Sequence, residues 1–287
     1  MIKLFIFLVE EGSTDDFVLK ILISLLIVFV IGFNVYKLLD FISYYFYRKP
    51  FFIYFPFFLK KLKRDHRRII IQNFPFYTKL PLQKQRIFDH RVVKFISYKE
   101  FVAREGFVLT DEVKVQIASC AVFLSFGMRF YDFPSVHRII IYPDIYYSNM
   151  NDEYHKGEFN PMHRTVVFSW KHFLIGFEDS DDGINLGLHE FAHALFFSNL
   201  RGENASTDIF QDGLEALKTI LLDETKIEAI KSKKFLRQYG FSNNMEFFSV
   251  CIEALVEKQE QFKLVLPELY HTIIEMLNFS FIEKKRR

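Results

Sequence analysis

Residues Phe17 to Tyr36, FVLKILISLLIVFVIGFNVY, form an apolar run broken only by Lys20 near one end and Asn34 near the other. Such a run has the length needed to cross a roughly 30 Å hydrocarbon core as a helix, so it constrains the chain before any other feature does. A retained membrane anchor is the expected reading. A cleaved signal peptide fits less well, because Glu10, Glu11, Asp15 and Asp16 precede the run and no small-x-small site follows it. A buried helix is the remaining alternative.

The segment after the run, FISYYFYRKPFFIYFPFFLKKLKRDHRR, mixes aromatic residues with Arg48, Lys49, Lys60, Lys61, Lys63, Arg64, Arg67 and Arg68. Aromatic and cationic side chains together suit the headgroup level of a membrane, and basic flanks are retained on the cytoplasmic side. This predicts a single-pass protein of the inner (cytoplasmic) membrane, with the acidic N-terminus outside and everything after the anchor in the cytosol. A solvated linker is the plainer reading of the basic run, and nucleic acid is the least favoured partner, since the net charge is only +2.

With 287 residues, half of them hydrophobic, and a quarter charged, the chain has room for one sizeable core beside the anchor. The expected organisation is an N-terminal segment over 1–40 with the anchor at about 17–36, a linker over 41–68 and one domain over 69–287. Two cysteines, Cys120 and Cys251, sit among apolar neighbours and suit buried reduced thiols, although one bridge between them is conceivable.

Within the domain, LQKQRIFDHRVVKFIS and DEVKVQIASCAVFLSF carry helical periodicity, the second placing Val113, Val115, Ile117, Ala118, Ala121 and Val122 on one face. Two β-rich runs follow, Arg138 to Tyr147 and Arg164 to Trp170, and helices resume at Asn185. The order helices, strands, helices predicts a mainly helical α+β domain with a small β-sheet. Trp170 reads as core or cleft wall. His66, His90, His137, His155, His163, His172 and His271 are scattered without ligand spacing.

The chemistry concentrates in LGLHEFAHAL, Leu186 to Leu195. On a helix His189 and His193 stand one turn apart and can meet one Zn2+ at about 2.0 to 2.1 Å, with Glu190 beside the open coordination position as general base. Two hydrogen-bonded core histidines are the plain alternative. Against it stand the otherwise uncharged apolar run and the turn and cap residues Gly183 and Asn185 ahead of it. A third ligand must come from downstream: Glu203, Asp208, Asp212, Glu215, Asp223, Glu224, Glu228, Glu246, Glu253 or Glu257. Spacing alone does not choose among them. NNMEFFSVCIEALVEK reads as a helix that sets Glu246, Glu253 and Glu257 along one stripe, with Glu257 expected on a solvated face.

VVFSWKHFLIGFEDSDDGINLGLHEFAHAL and YGFSNNMEFFSVCIEALVE resemble two segments of the Mlc titration factor A (MtfA-like) family of zinc peptidases, and the likeness extends from about Leu80 to Leu277. The resemblance implies a zincin-like domain similar to the catalytic domain of anthrax lethal factor. It implies Glu246, of the E-F-F triplet, as third zinc ligand and Tyr239, seven residues earlier, as donor to the oxyanion. It also suggests Glu253 as a partner orienting a ligand histidine. Members usually read HEFAHxLD where this chain has Phe196 in place of the aspartate. The implied activity is zinc-dependent hydrolysis of a peptide or protein substrate, aminopeptidase-like and regulatory in the family. The rival expectation is a zinc-fold binding protein that engages a cytosolic regulatory partner with little or no proteolysis.

Overall fold

The computed structural model describes residues 14–54, 58–148, 152–178, 182–202 and 204–279. Glu10 and Glu11 of the acidic N-terminus and the candidate ligand Glu203 lie outside them. The chain divides into two units, Met1–Phe51 and Phe52–Arg287.

In the first unit a single helix, α1 (Thr14–Tyr47), spans 34 residues, about 50 Å at the helical rise. Its apolar side chains have no protein cover, and over Asp16–Tyr47 it is long and apolar enough to cross a membrane. Two polar groups in its apolar stretch turn back onto the helix: Ser24 Oγ donates to Lys20 O at 2.8 Å and Asn34 Nδ2 to Val30 O at 2.7 Å. The helix runs past the expected end of the anchor at Tyr36, because the aromatic residues that follow propagate it without a Gly or Pro before Pro50.

The second unit opens with α2 (Arg64–Asn73), α3 (Pro75–Lys79) and α4 (Leu82–Tyr98). Strand β1 (Glu100–Ala103) and helix α5 (Asp111–Leu124) follow, then β2 (Arg138–Tyr142), β3 (Tyr146–Ser148), β4 (Glu153–His155), β5 (Gly157–Asn160) and β6 (Thr165–Ser169). The rest is helical: α6 (Trp170–Glu178), α7 (Leu186–Ser198), α8 (Ala205–Leu222), α9 (Glu224–Ser232), α10 (Asn244–Glu257), α11 (Gln259–Val265) and α12 (Pro267–Leu277), with a 3-10 turn at Gln238–Ser242 before α10. The sheet order is β1-β2-β6-β5, parallel except for β5, which runs antiparallel on β6 at one edge. The fold is therefore the expected helical α+β domain with a small mixed sheet.

Local details depart from the sequence pattern for physical reasons. The run from Arg138 to Tyr147 breaks in two at Pro143 and Asp144, and its second half pairs with β4 in a separate hairpin. Proline cannot donate to a ladder, and the Asp144 carboxylate takes the Ile145 N–H at 2.8 Å. β1 and β5 are four residues each, too short for alternation to reveal. Helix α5 has no exposed face: Val113 and every residue from Val115 to Leu124 are buried, so the expected one-sided pattern gives way to a central core helix. Trp170 begins α6 rather than ending a strand and stacks on Phe173 at 5.3 Å. Both cysteines are buried free thiols.

Helix α7 packs between the sheet and α10. Phe191, fully buried, meets the rings of Phe95, Phe133 and Phe168 at 5.4 to 6.0 Å. This aromatic seat is what fixes the rotation of α7 and turns its opposite face toward α10.

Candidate metal centre

Gly183 sits at φ +75°, a conformation open chiefly to glycine, and turns the chain into α7. Asn185 then caps the helix, its Oδ1 accepting from Leu188 N at 3.0 Å. One turn apart on that helix, the His189 and His193 rings lie 4.5 Å apart and nearly perpendicular. Asn243 caps α10 in the same way, accepting from Met245 N at 2.9 Å and Glu246 N at 3.0 Å. That cap sets Glu246 in the first turn, opposite the histidines.

The three side chains converge. His189 Nε2 lies 3.0 Å from Glu246 Oε2, and His193 Nε2 lies 3.4 Å from Glu246 Oε1. One ligating atom from each residue falls within 4.8 Å of the others, and no other such group of three occurs among the described residues. The outer nitrogens are tied down. His189 Nδ1 meets Glu253 Oε2 at 3.2 Å, and His193 Nδ1 meets Ser249 Oγ at 2.9 Å. Ser249 donates its own proton to His189 O at 3.4 Å, so it accepts from His193 Nδ1–H, which directs His193 Nε2 inward as a lone pair. Glu246 Oε2 is shielded from solvent, with His189 Nε2 beside it but out of line for a hydrogen bond. Two imidazole nitrogens and a buried carboxylate facing one point are a donor set that fits a divalent metal ion.

The electrostatics agree. Burial is the largest influence on His189 and works against its protonation, yet Glu246 and Glu253 on its two nitrogens outweigh it and push it up to about 10. The two carboxylates make the surroundings of His189 favourable to positive charge. Burial, aided by the charge of His189, holds His193 down to about 3. Glu190, only 6% exposed, is raised to about 7 by burial, with Glu246, Glu158 and Glu253 adding and His189 opposing. A carboxylate poised near neutrality suits proton transfer. It lies against β5 at Gly157, where an added Cβ would stand 3.1 Å from Glu190 Cγ and 2.6 Å from Leu186 Cδ1. Tyr239 borders the site, 57% exposed, its ring 6.3 Å from that of His189. Burial first, then the charge of Glu246 and a hydrogen bond to it, push its phenol up to about 12.

Of the carboxylates that sequence spacing left open, the structure brings Glu246 to the histidines and Glu253 behind His189. Asp223 caps α9, while Glu215 and Glu228 pair with Lys218 and Lys231 on the surface. Glu257 corrects the expectation of a solvated face: both its oxygens are shielded from solvent beside Asn185 and Gly183, and burial raises it to about 7. Phe196, in the place of the family aspartate, packs near Phe248 of α10 at 6.3 Å. Sequence reasoning missed Ser249 and Arg237. The signal for Ser249 was its position, three residues after Glu246 and four before Glu253 on one face of α10. Arg237, whose guanidinium contacts Glu253 Oε2, comes from outside that helix and left no periodic trace.

A two-histidine, one-carboxylate centre across two capped helices, with a second acid, Glu190, beside it, defines a metal-dependent hydrolase type of site. Over residues 58–277 the chain matches, and belongs to, the family of glucose-regulated metallo-peptidases M90. It is similar to an uncharacterized protein of Synechocystis sp., 25% identical over 235 residues that cover 75% of this chain and 84% of that one. Mlc titration factor A of Salmonella agona is 24% identical over 220 residues, and that of Salmonella typhi 25% over 218, each match covering 68% of this chain and 79% of the relative.

Proposed function

We propose that the protein is a zinc peptidase, anchored by α1 with its catalytic unit on the cytosolic side, in which His189, His193 and Glu246 hold the metal. The observation that carries this reading is the convergence of their ligating atoms within 4.8 Å, beside a buried acid on the same helix. When bound, zinc supplies a Lewis acid that polarises the scissile carbonyl and lowers the pKa of the attacking water. Glu190 takes the proton of that water and returns it to the leaving amine. Tyr239 donates from its phenol to the carbonyl oxygen as negative charge develops there, an interaction made chiefly in the transition state. Glu253 and Ser249 hold the two imidazoles in orientation. The substrate is a peptide or protein segment that reaches the exposed Tyr239 side of the site.

The test uses the full chain purified in detergent. Bound zinc and hydrolysis of a broad peptide library are measured for the protein and for Glu190→Gln and Glu246→Ala. Near-stoichiometric zinc is expected, retained in Glu190→Gln and lost in Glu246→Ala. Hydrolysis should fall by roughly a hundredfold or more in Glu190→Gln and vanish in Glu246→Ala. Zinc without hydrolysis would move the reading to a binding role, of the kind the name Mlc titration factor A describes for the relatives. Absence of zinc in the unaltered protein would sink both.

A further inference from the structure

The carboxylate of Glu253 is 1% exposed and joins three separate parts of the chain. Its Oε1 accepts from Asn185 N at 2.8 Å, at the cap of α7. Its Oε2 faces His189 Nδ1 at 3.2 Å and also takes the guanidinium of Arg237. Arg237 immediately precedes the 3-10 turn that carries Tyr239, and its carbonyl accepts from Gly240 N at 3.1 Å. That turn has little freedom at its other end: a Cβ on Gly240 would lie 3.0 Å from Val250 Cβ on α10, and Phe241 packs on Phe247.

We propose that Arg237 is a positioning residue of the metal centre, clamping Glu253 onto His189 and pinning the Tyr239 turn to the same carboxylate. The inference rests on the proposed zinc peptidase and adds a member to it. A carboxylate buried to this degree needs a full set of donors. The Asn185 N–H satisfies one oxygen, and His189 and Arg237 share the other. Removing Arg237 leaves the second oxygen with the imidazole alone, free to rotate off the axis that aims His189 Nε2 at Glu246. The turn that carries Tyr239 loses its tether in the same step. One side chain thus couples the metal ligand to the oxyanion donor, which sit on elements separated by half a hundred residues of sequence, from His189 to Tyr239.

The full chain in detergent is compared with Arg237→Ala, Arg237→Lys and Arg237→Gln. Zinc affinity is measured by competition with a chromophoric chelator, the visible spectrum is recorded with Co2+ in the site, and kcat and KM are measured at saturating zinc. Arg237→Ala should bind zinc at least tenfold more weakly, shift the Co2+ bands and lose kcat with KM nearly unchanged. Arg237→Lys, which keeps the charge, should recover part of the affinity. If Arg237→Ala does not fold, Arg237→Gln decides with the same three readouts, since it removes the charge and the terminal donors with a smaller loss of side-chain volume. Zinc affinity and Co2+ bands equal to those of the unaltered protein would overturn the clamp while leaving the peptidase reading intact. An unaltered protein that takes up no metal would remove the peptidase reading and the clamp together.

Discussion

Ser249 and His193 form a hydrogen bond of 2.9 Å between a hydroxyl on α10 and the outer ring nitrogen of an imidazole on α7. Because the same hydroxyl donates to the backbone carbonyl of His189, its role toward His193 is fixed as acceptor. Ser249→Ala should therefore weaken zinc binding by about tenfold, with little loss of fold stability. Chelator competition on the purified protein measures it, and an unchanged affinity would show that packing alone orients His193.

At Gly157 the edge strand lies so close to α7 that an added Cβ would displace the Leu186 Cδ1 methyl, 2.6 Å away, and press on Glu190 Cγ at 3.1 Å. Gly157→Ala is expected to displace the Glu190 carboxylate, lowering kcat at least tenfold while zinc remains bound. The accompanying overpacking costs about 1–3 kcal/mol. Steady-state kinetics set against zinc content separates the two effects.

Phe191 stands on the α7 face opposite the ligands, in contact with Phe95, Phe133 and Phe168. Phe191→Ala should lower unfolding free energy by about 3–5 kcal/mol, since a fully buried ring is replaced by a cavity. Denaturant titration followed by circular dichroism is the direct measurement, with Phe191→Leu expected to recover most of the loss.

Glu257 gives the stability a pH dependence of known sign. Its carboxyl is raised from an ordinary 4.5 to about 7, chiefly by burial. The folded protein therefore holds a proton that the unfolded chain has released, and this contribution is complete below pH 4.5 and lost as pH rises through 7. Glu257→Gln should raise Tm at pH 8 relative to the unaltered protein and leave it nearly unchanged at pH 4.5. Equal shifts at both pH values would show that the buried carboxyl is compensated by other groups.

Deleting residues 1–51 should move the protein from the membrane to the soluble fraction, because α1 is the one helix among the described residues that is long and apolar enough to cross a bilayer. The proposed orientation adds a second readout: a C-terminal alkaline phosphatase fusion should be inactive and a C-terminal green fluorescent fusion bright. Reversed signals would place the catalytic unit on the outer side.

Much of this protein was written locally. An apolar run long enough to cross a bilayer cannot satisfy its backbone except as a helix. His189, Glu190 and His193 need only one helix to share a face, and Asn185 and Asn243 announce the caps that start α7 and α10. Helical periodicity likewise placed Glu246 and Glu253 on a common stripe. These features depend on neighbours within a few residues, so the chain order itself specifies them.

Tertiary packing decided the rest. Spacing left ten downstream carboxylates open to the third position and the family resemblance pointed to Glu246; the packing of α10 on α7 brings that residue to the histidines. It also sets Ser249 and Glu253 behind the histidines and closes Arg237 onto Glu253. Periodicity could not report that α5 is buried on every side, or that Glu257 points into the protein, because burial is a property of what packs against a helix. Gly157 and Glu190 become neighbours through β5 and α7, elements whose approach no local pattern encodes. The amino-acid sequence by itself determined an apolar helix long enough to cross a membrane, a helical α+β domain and the two histidines one turn apart. Long-range contacts determined that Glu246 joins those histidines and which groups hold the three in place.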